Sequence, residues 1–137
     1  MKTKIVFKIF AFLIFAIITS CNNDDDKSDD QNLCLENIFA GVSDVIAPST
    51  GTVDETITVQ VEFGVGNGCG QFGRFIETQN GNSRTVEVEA RYEGCICTQD
   101  APIRTVNYQF IPKTAGIYEL KFKSNSTEFV TVNITVN

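Results

Sequence analysis

Thr56-Ile57-Thr58-Val59-Gln60-Val61-Glu62-Phe63 alternates polar and apolar residues without a break. Successive side chains of an extended strand point to opposite faces, so this stretch builds one buried face and one wet face. Three further runs repeat the pattern. Thr85-Val86-Glu87-Val88-Glu89-Ala90-Arg91-Tyr92 turns Glu87, Glu89 and Arg91 to water; Tyr118, Leu120 and Phe122 alternate with Glu119, Lys121 and Lys123; Val130, Val132, Ile134 and Val136 alternate with Thr131, Asn133 and Thr135. No segment after Leu33 sustains a helical period with caps. Turn chemistry separates the runs: Pro48-Ser49-Thr50-Gly51, the glycine-rich residues 64–70, Gln79-Asn80-Gly81-Asn82 with its hairpin-favouring Asn-Gly pair, Pro112-Lys113-Thr114-Ala115-Gly116, and Ser124-Asn125-Ser126. The spacing predicts strands over 37–46, 56–64, 72–79, 84–93, 104–111, 117–123 and 128–136. An all-β chain of this kind buries its apolar faces between two sheets.

Seven strands in about 105 residues is the scale of a single immunoglobulin-like Greek-key β-sandwich spanning 33–137. Tyr118, opening the sixth strand after a glycine-containing turn, resembles the tyrosine corner that pins such sandwiches. The turn and strand of residues 48–61 and the Gly-x-Tyr-x-Leu-x-Phe run of residues 116–122 resemble immunoglobulin-like domains of bacterial cell-surface lipoproteins. Asn67-Gly68-Cys69 and Tyr92-Glu93-Gly94-Cys95-Ile96-Cys97-Thr98 are similar to signatures of a Bacteroidota lipoprotein group. That resemblance implies a fold and a location, and no activity.

The first residues carry the address. Lys2, Lys4 and Lys8 precede an apolar run from Ile9 to Ile18, and Thr19-Ser20 lead to Cys21. The run is too short for a membrane span and reads as a signal peptide over 1–20. Small residues before a cysteine resemble the lipobox of bacterial lipoproteins, which implies a lipid on the Cys21 thiol and cleavage before it. The chain after Ser20 keeps 8 of 11 basic residues and all 17 acidic ones, a net charge of −9. Nucleic acid is a poor partner for such a chain, because phosphates need Lys and Arg clusters. Asp24, Asp25, Asp26, Asp29 and Asp30 sit among Asn, Ser, Gln and one Lys in a tether over 21–32 that has nothing apolar to bury. The acidic run resembles the export signal that sends Bacteroidota lipoproteins to the outer face of the outer membrane. A calcium loop would need spaced ligands and a turn glycine, and neither is there.

With Cys21 lipidated, Cys34, Cys69, Cys95 and Cys97 remain, an even number in an exported chain. In an immunoglobulin-like topology the four fall at one end of the sandwich, where two disulfides can close. Residues two apart on an extended strand point the same way, so a Cys95–Cys97 bridge would be strained. Each of the two therefore pairs with one of Cys34 and Cys69, in either connectivity. Zinc sites favour Cys-x-x-Cys halves, and only one close pair exists here, spaced by one. A redox Cys-x-Cys centre is the other reading weighed against structural bridges.

The chain has no histidine, which excludes imidazole-based triads and His-ligated catalytic zinc. Glu62, Glu87, Glu89 and Glu119 alternate outward, where carboxylates are solvated rather than paired for acid–base work. The glycine-rich loop 64–70 lacks the Lys-Ser/Thr ending of a P-loop. No catalytic residue, metal or cofactor is implied, apart from the covalent lipid on Cys21. The reading is a non-enzymatic, lipid-anchored binding or structural module of the outer membrane. Its partners are the membrane, through the anchor, and a protein or glycan. Phe72, Phe75 and Phe129 do not all fit a single buried face, and a cluster of them on the surface would mark a contact patch. A small inhibitor using disulfide-stiffened loops and an accessory subunit of an outer-membrane complex are the alternatives.

Overall fold

A computed structural model describes residues 34–137. The signal peptide expected over 1–20, Cys21 and the acidic residues Asp24, Asp25, Asp26, Asp29 and Asp30 lie outside the described residues. The described residues contain no helix. They form nine strands: β1 Leu35–Ala40, β2 Val42–Ile46, β3 Thr50–Gly51, β4 Ile57–Gly64, β5 Gly70–Asn80, β6 Ser83–Glu93, β7 Ile103–Phe110, β8 Gly116–Lys123 and β9 Phe129–Val136.

Nine strands stand where seven were expected, for two reasons. The run read as one strand over 37–46 breaks at Gly41. Its first half, β1, pairs with β6 in one sheet, and its second half, β2, pairs with β4 in the other. A side chain at Gly41 would run into the carbonyl oxygen of Ser124, so the crossing between sheets needs a residue without one. The second addition is the two-residue β3, which lies parallel to the end of β9.

The six-stranded sheet is centred on β6. One side of β6 takes β5 along its length. The other side is shared: β1 runs antiparallel along residues 88–93, and β8 runs parallel along residues 83–86. β9 and β3 continue beyond β8. The second sheet is β2-β4-β7. The alternation read in the sequence explains why the two sheets face each other. Val59, Val61 and Phe63 from β4, Val86, Val88 and Ala90 from β6, and Leu120 and Phe122 from β8 are fully buried.

Phe72 and Phe75 do not form an exposed patch with Phe129. They are three residues apart, a spacing that sends side chains of a regular strand to opposite faces. A bulge between Phe72 and Arg74 inserts Gly73 and returns both rings to the inner face. A side chain on Gly73 would stand 2.8 Å from the Glu89 carbonyl oxygen. The rings join a ladder through the core: Phe63–Phe72, Phe72–Phe75, Phe75–Tyr108 and Tyr108–Phe122 centroids lie 6.2, 4.7, 5.1 and 5.5 Å apart. Phe129 alone stays exposed. The β5–β6 turn also sits one residue later than the Asn-Gly pair suggests. Asn80 pairs with Ser83, so Gly81 and Asn82 are its central residues. Gly81, at φ 59°, supplies the positive dihedral that a two-residue hairpin needs at that place.

Candidate functional site

One end of the sandwich gathers the start of β1, the β4–β5 loop and the β6–β7 loop. Four cysteines lock these three segments together. Cys34 is bonded to Cys95, with Cα atoms 4.9 Å apart, and Cys69 to Cys97, with Cα atoms 5.4 Å apart. Of the two connectivities open to the sequence, this is the one in which the first cysteine of the Cys95/Cys97 pair holds β1. Cys95 and Cys97 are thus tied to different elements.

Backbone and side-chain hydrogen bonds stiffen the same end. Gly94 N–H donates to the Cys34 carbonyl at 3.0 Å, and Gly68 N–H donates to the Thr98 carbonyl at 3.1 Å. The Tyr92 hydroxyl accepts from Gly66 N–H at 2.7 Å. Arg104 spans the loop from below: its guanidinium donates to the carbonyls of Gly68 and Gly70, both at 3.1 Å. The glycine-rich loop is consequently a fixed turn around Cys69. Gly70 fits tightly, with Val65 and Tyr92 within 3 Å of where a side chain would begin.

Two surface features result. The first is an open cleft of about 640 Å³, with Leu35, Ile38 and Tyr92 on its apolar side and Glu36 as its charged lining residue. The second is Ile96. This residue is 97 % exposed, far beyond any other large apolar residue of the sandwich. Its two neighbours are both bridged cysteines, so its backbone is held from either side. Sequence reasoning found the four cysteines and missed Ile96 and Arg104. An isoleucine isolated between two cysteines was the only available signal.

Tyr118 lies at the opposite end. Its hydroxyl donates to the Thr114 carbonyl at 2.9 Å and accepts from Thr114 N–H at 3.3 Å, the geometry of a tyrosine corner. A hollow of about 720 Å³ at that end is lined by Thr50, Thr52, Thr56 and Thr58 and by Glu55. The outward carboxylates of the larger sheet are engaged in pairs. Glu89 meets Arg74 at 2.9 Å, Glu87 meets Lys123 at 2.8 Å, and Glu119 meets Lys121 at 2.9 Å. Hydrogen bonds from Lys121, then from Ser83, hold the Glu119 carboxyl below the usual range. Ion pairs at the sheet surface add little to stability.

Residues 59–135, more than half of the chain, match the family model described as the ORF11 beta-sandwich domain. The chain belongs to that family. The match runs from β4 to β9, so Cys69, Cys95, Cys97, Ile96 and Arg104 all lie inside the ORF11 β-sandwich segment. Cys34 precedes it, and the Cys34–Cys95 bridge ties β1 to the ORF11 segment. Comparisons with curated proteins and with solved structures found no match.

Proposed function

We propose that this ORF11 β-sandwich protein is a non-catalytic binding module, held at the outer membrane by lipid on Cys21, and that its disulfide-locked end contacts a protein partner. The observation that carries the reading is Ile96, fully displayed between two cysteines that are fixed to different elements. A side chain presented on an immobilised backbone loses little further freedom on binding, which is the physical advantage of preorganisation. The exposed carboxylates Glu36 and Asp100 flank this end. The surface therefore suits an apolar pocket with a basic rim. The Bacteroidota-type lipobox at Cys21 and the acidic run Asp24, Asp25, Asp26, Asp29 and Asp30 support a surface-exposed outer-membrane address.

The clamped loop also favours a second reading, a small inhibitor whose Ile96 enters the specificity pocket of a protease. One experiment addresses both. The intact lipoprotein is purified from detergent-solubilised membranes beside an Ile96→Asp variant and an Ile117→Asp variant, Ile117 being exposed on the far part of β8. The binding reading expects a co-purifying protein that is lost with Ile96→Asp and kept with Ile117→Asp. Equal retention in all three samples rejects the disulfide-locked end as the contact. A protease among the captured proteins favours the inhibitor, and an integral membrane protein favours the accessory subunit.

A further inference from the structure

Sheet edges expose unpaired N–H and C=O groups, and proteins block them against other strands with short lengths, bulges, charges or covering elements. Four edges here carry such devices. β3 is two residues long. β5 is bulged at Gly73 and shows Arg74 and Glu77, and β2 is bulged between Val42 and Asp44 and shows Asp44. β1 has Glu36 on its cleft side, and β9, itself next to an edge, is capped at its end by β3.

β7 is neither short nor bulged. Its register with β4 is unbroken over eight residues, from Ile103 opposite Gly64 to Phe110 opposite Ile57. Pro102 and Pro112 lie outside it. Arg104, its single charged residue, turns away to the carbonyls of Gly68 and Gly70. Among the described residues, no strand pairs with its other side.

We propose that β7 pairs antiparallel with β7 of a second copy of this chain, across a twofold axis, joining two three-stranded sheets into one of six. The side chains select a second copy. The outward row of β7 is Ile103, Thr105, Asn107 and Gln109, the last three each able both to donate and to accept hydrogen bonds. A twofold interface sets a surface against itself, so a row with both capacities satisfies itself. In a chain of net charge −6, this strand has no acidic residue to oppose that approach. Cross-strand partners must share a face, which fixes the parity of the register. A twofold at Asn107 puts Thr105 of each copy opposite Gln109 of the other and Val106 opposite Tyr108, and it keeps Pro102 out of the ladder.

The test uses residues 21–137 carrying Cys21→Ser, so that lipid cannot contribute to association and the outcome is independent of the anchoring proposal. Sedimentation equilibrium over a rising concentration series is expected to show a monomer–dimer equilibrium. Asn107→Lys, which places like charges face to face at the axis, is expected to abolish the dimer, whereas Asn133→Lys on β9 leaves it intact. Hydrogen exchange is expected to slow at alternate β7 amides in the concentrated parent protein and not in the dilute one. A chain that stays monomeric throughout overturns the proposal. So does a dimer that persists in Asn107→Lys, or one whose β7 amides exchange alike at both concentrations.

Discussion

Tyr108 shows how one residue joins core packing to titration. Its ring stacks edge-on between Phe75 and Phe122, and its hydroxyl donates to the Glu77 carboxylate at 2.8 Å. Arg84 reaches the same carboxylate oxygen at 3.2 Å and rests over the Phe110 ring at 4.9 Å. Burial, and secondarily the bond to Glu77, push the Tyr108 phenol up to about 12 from its ordinary 10.0. The folded state therefore favours the neutral phenol. Its contribution is complete below pH 10 and is lost as the pH rises through about 12. Denaturant unfolding of the parent is expected to weaken across that window, and Tyr108→Phe to remove this component while costing about 1 kcal/mol at neutral pH. An ultraviolet titration in which the Tyr108 phenolate forms near pH 10 contradicts the assignment. Gly41 and Gly73 act at the same scale by lacking a side chain: one lets the chain cross between sheets, the other lets a strand bulge. Neither role is visible locally, because the obstructing atoms belong to Ser124 and Glu89, 83 and 16 positions further along the chain.

Single elements were legible where one face is buried throughout. The period of two in β4, β6, β8 and β9 identified those strands, and the turn residues bounded them to within a few positions. β1 and β2 were read as one because extended backbone continues through Gly41, and only long-range pairing reveals that the two halves belong to different sheets. The cysteines were legible as a set, since the topology brings them to one end. Their pairing was not, since Cys95 and Cys97 are equivalent until the course of β1 is known. The bridges act on elements of different kinds: Cys34–Cys95 closes 61 positions and holds the head of a strand, and Cys69–Cys97 closes 28 and holds two loops. Chain entropy assigns each roughly 4 kcal/mol, with a difference under about 1 kcal/mol. Replacing either pair by serine is expected to leave a folded sandwich with a lower unfolding midpoint, because the core is independent of the bridges. Non-reducing peptide maps should link Cys34 with Cys95 and Cys69 with Cys97. Free thiols in the native protein, or unfolding on removal of one pair, would show that this account of the disulfide-locked end is wrong.

For the whole molecule, the lipid proposal makes a separable prediction. Cys21→Ser is expected to leave the precursor uncut and to abolish its metabolic labelling with a radioactive fatty acid. Unchanged labelling in Cys21→Ser removes the anchor and leaves the sandwich, its bridges and Ile96 as they stand. What the whole chain does was the least legible level, because exposure such as that of Ile96 is a property of the finished surface and not of any local pattern. The bridge at the head of β1 has one more consequence, a mechanical one. Tension applied through the residues before Cys34 would ordinarily peel β1 from β6 one hydrogen bond at a time. Here the pull passes through two sulfur atoms to Cys95, just beyond the end of β6, and enters the sheet at its central strand. β1 is left slack, and the sandwich can be tugged by its leading end without unzipping.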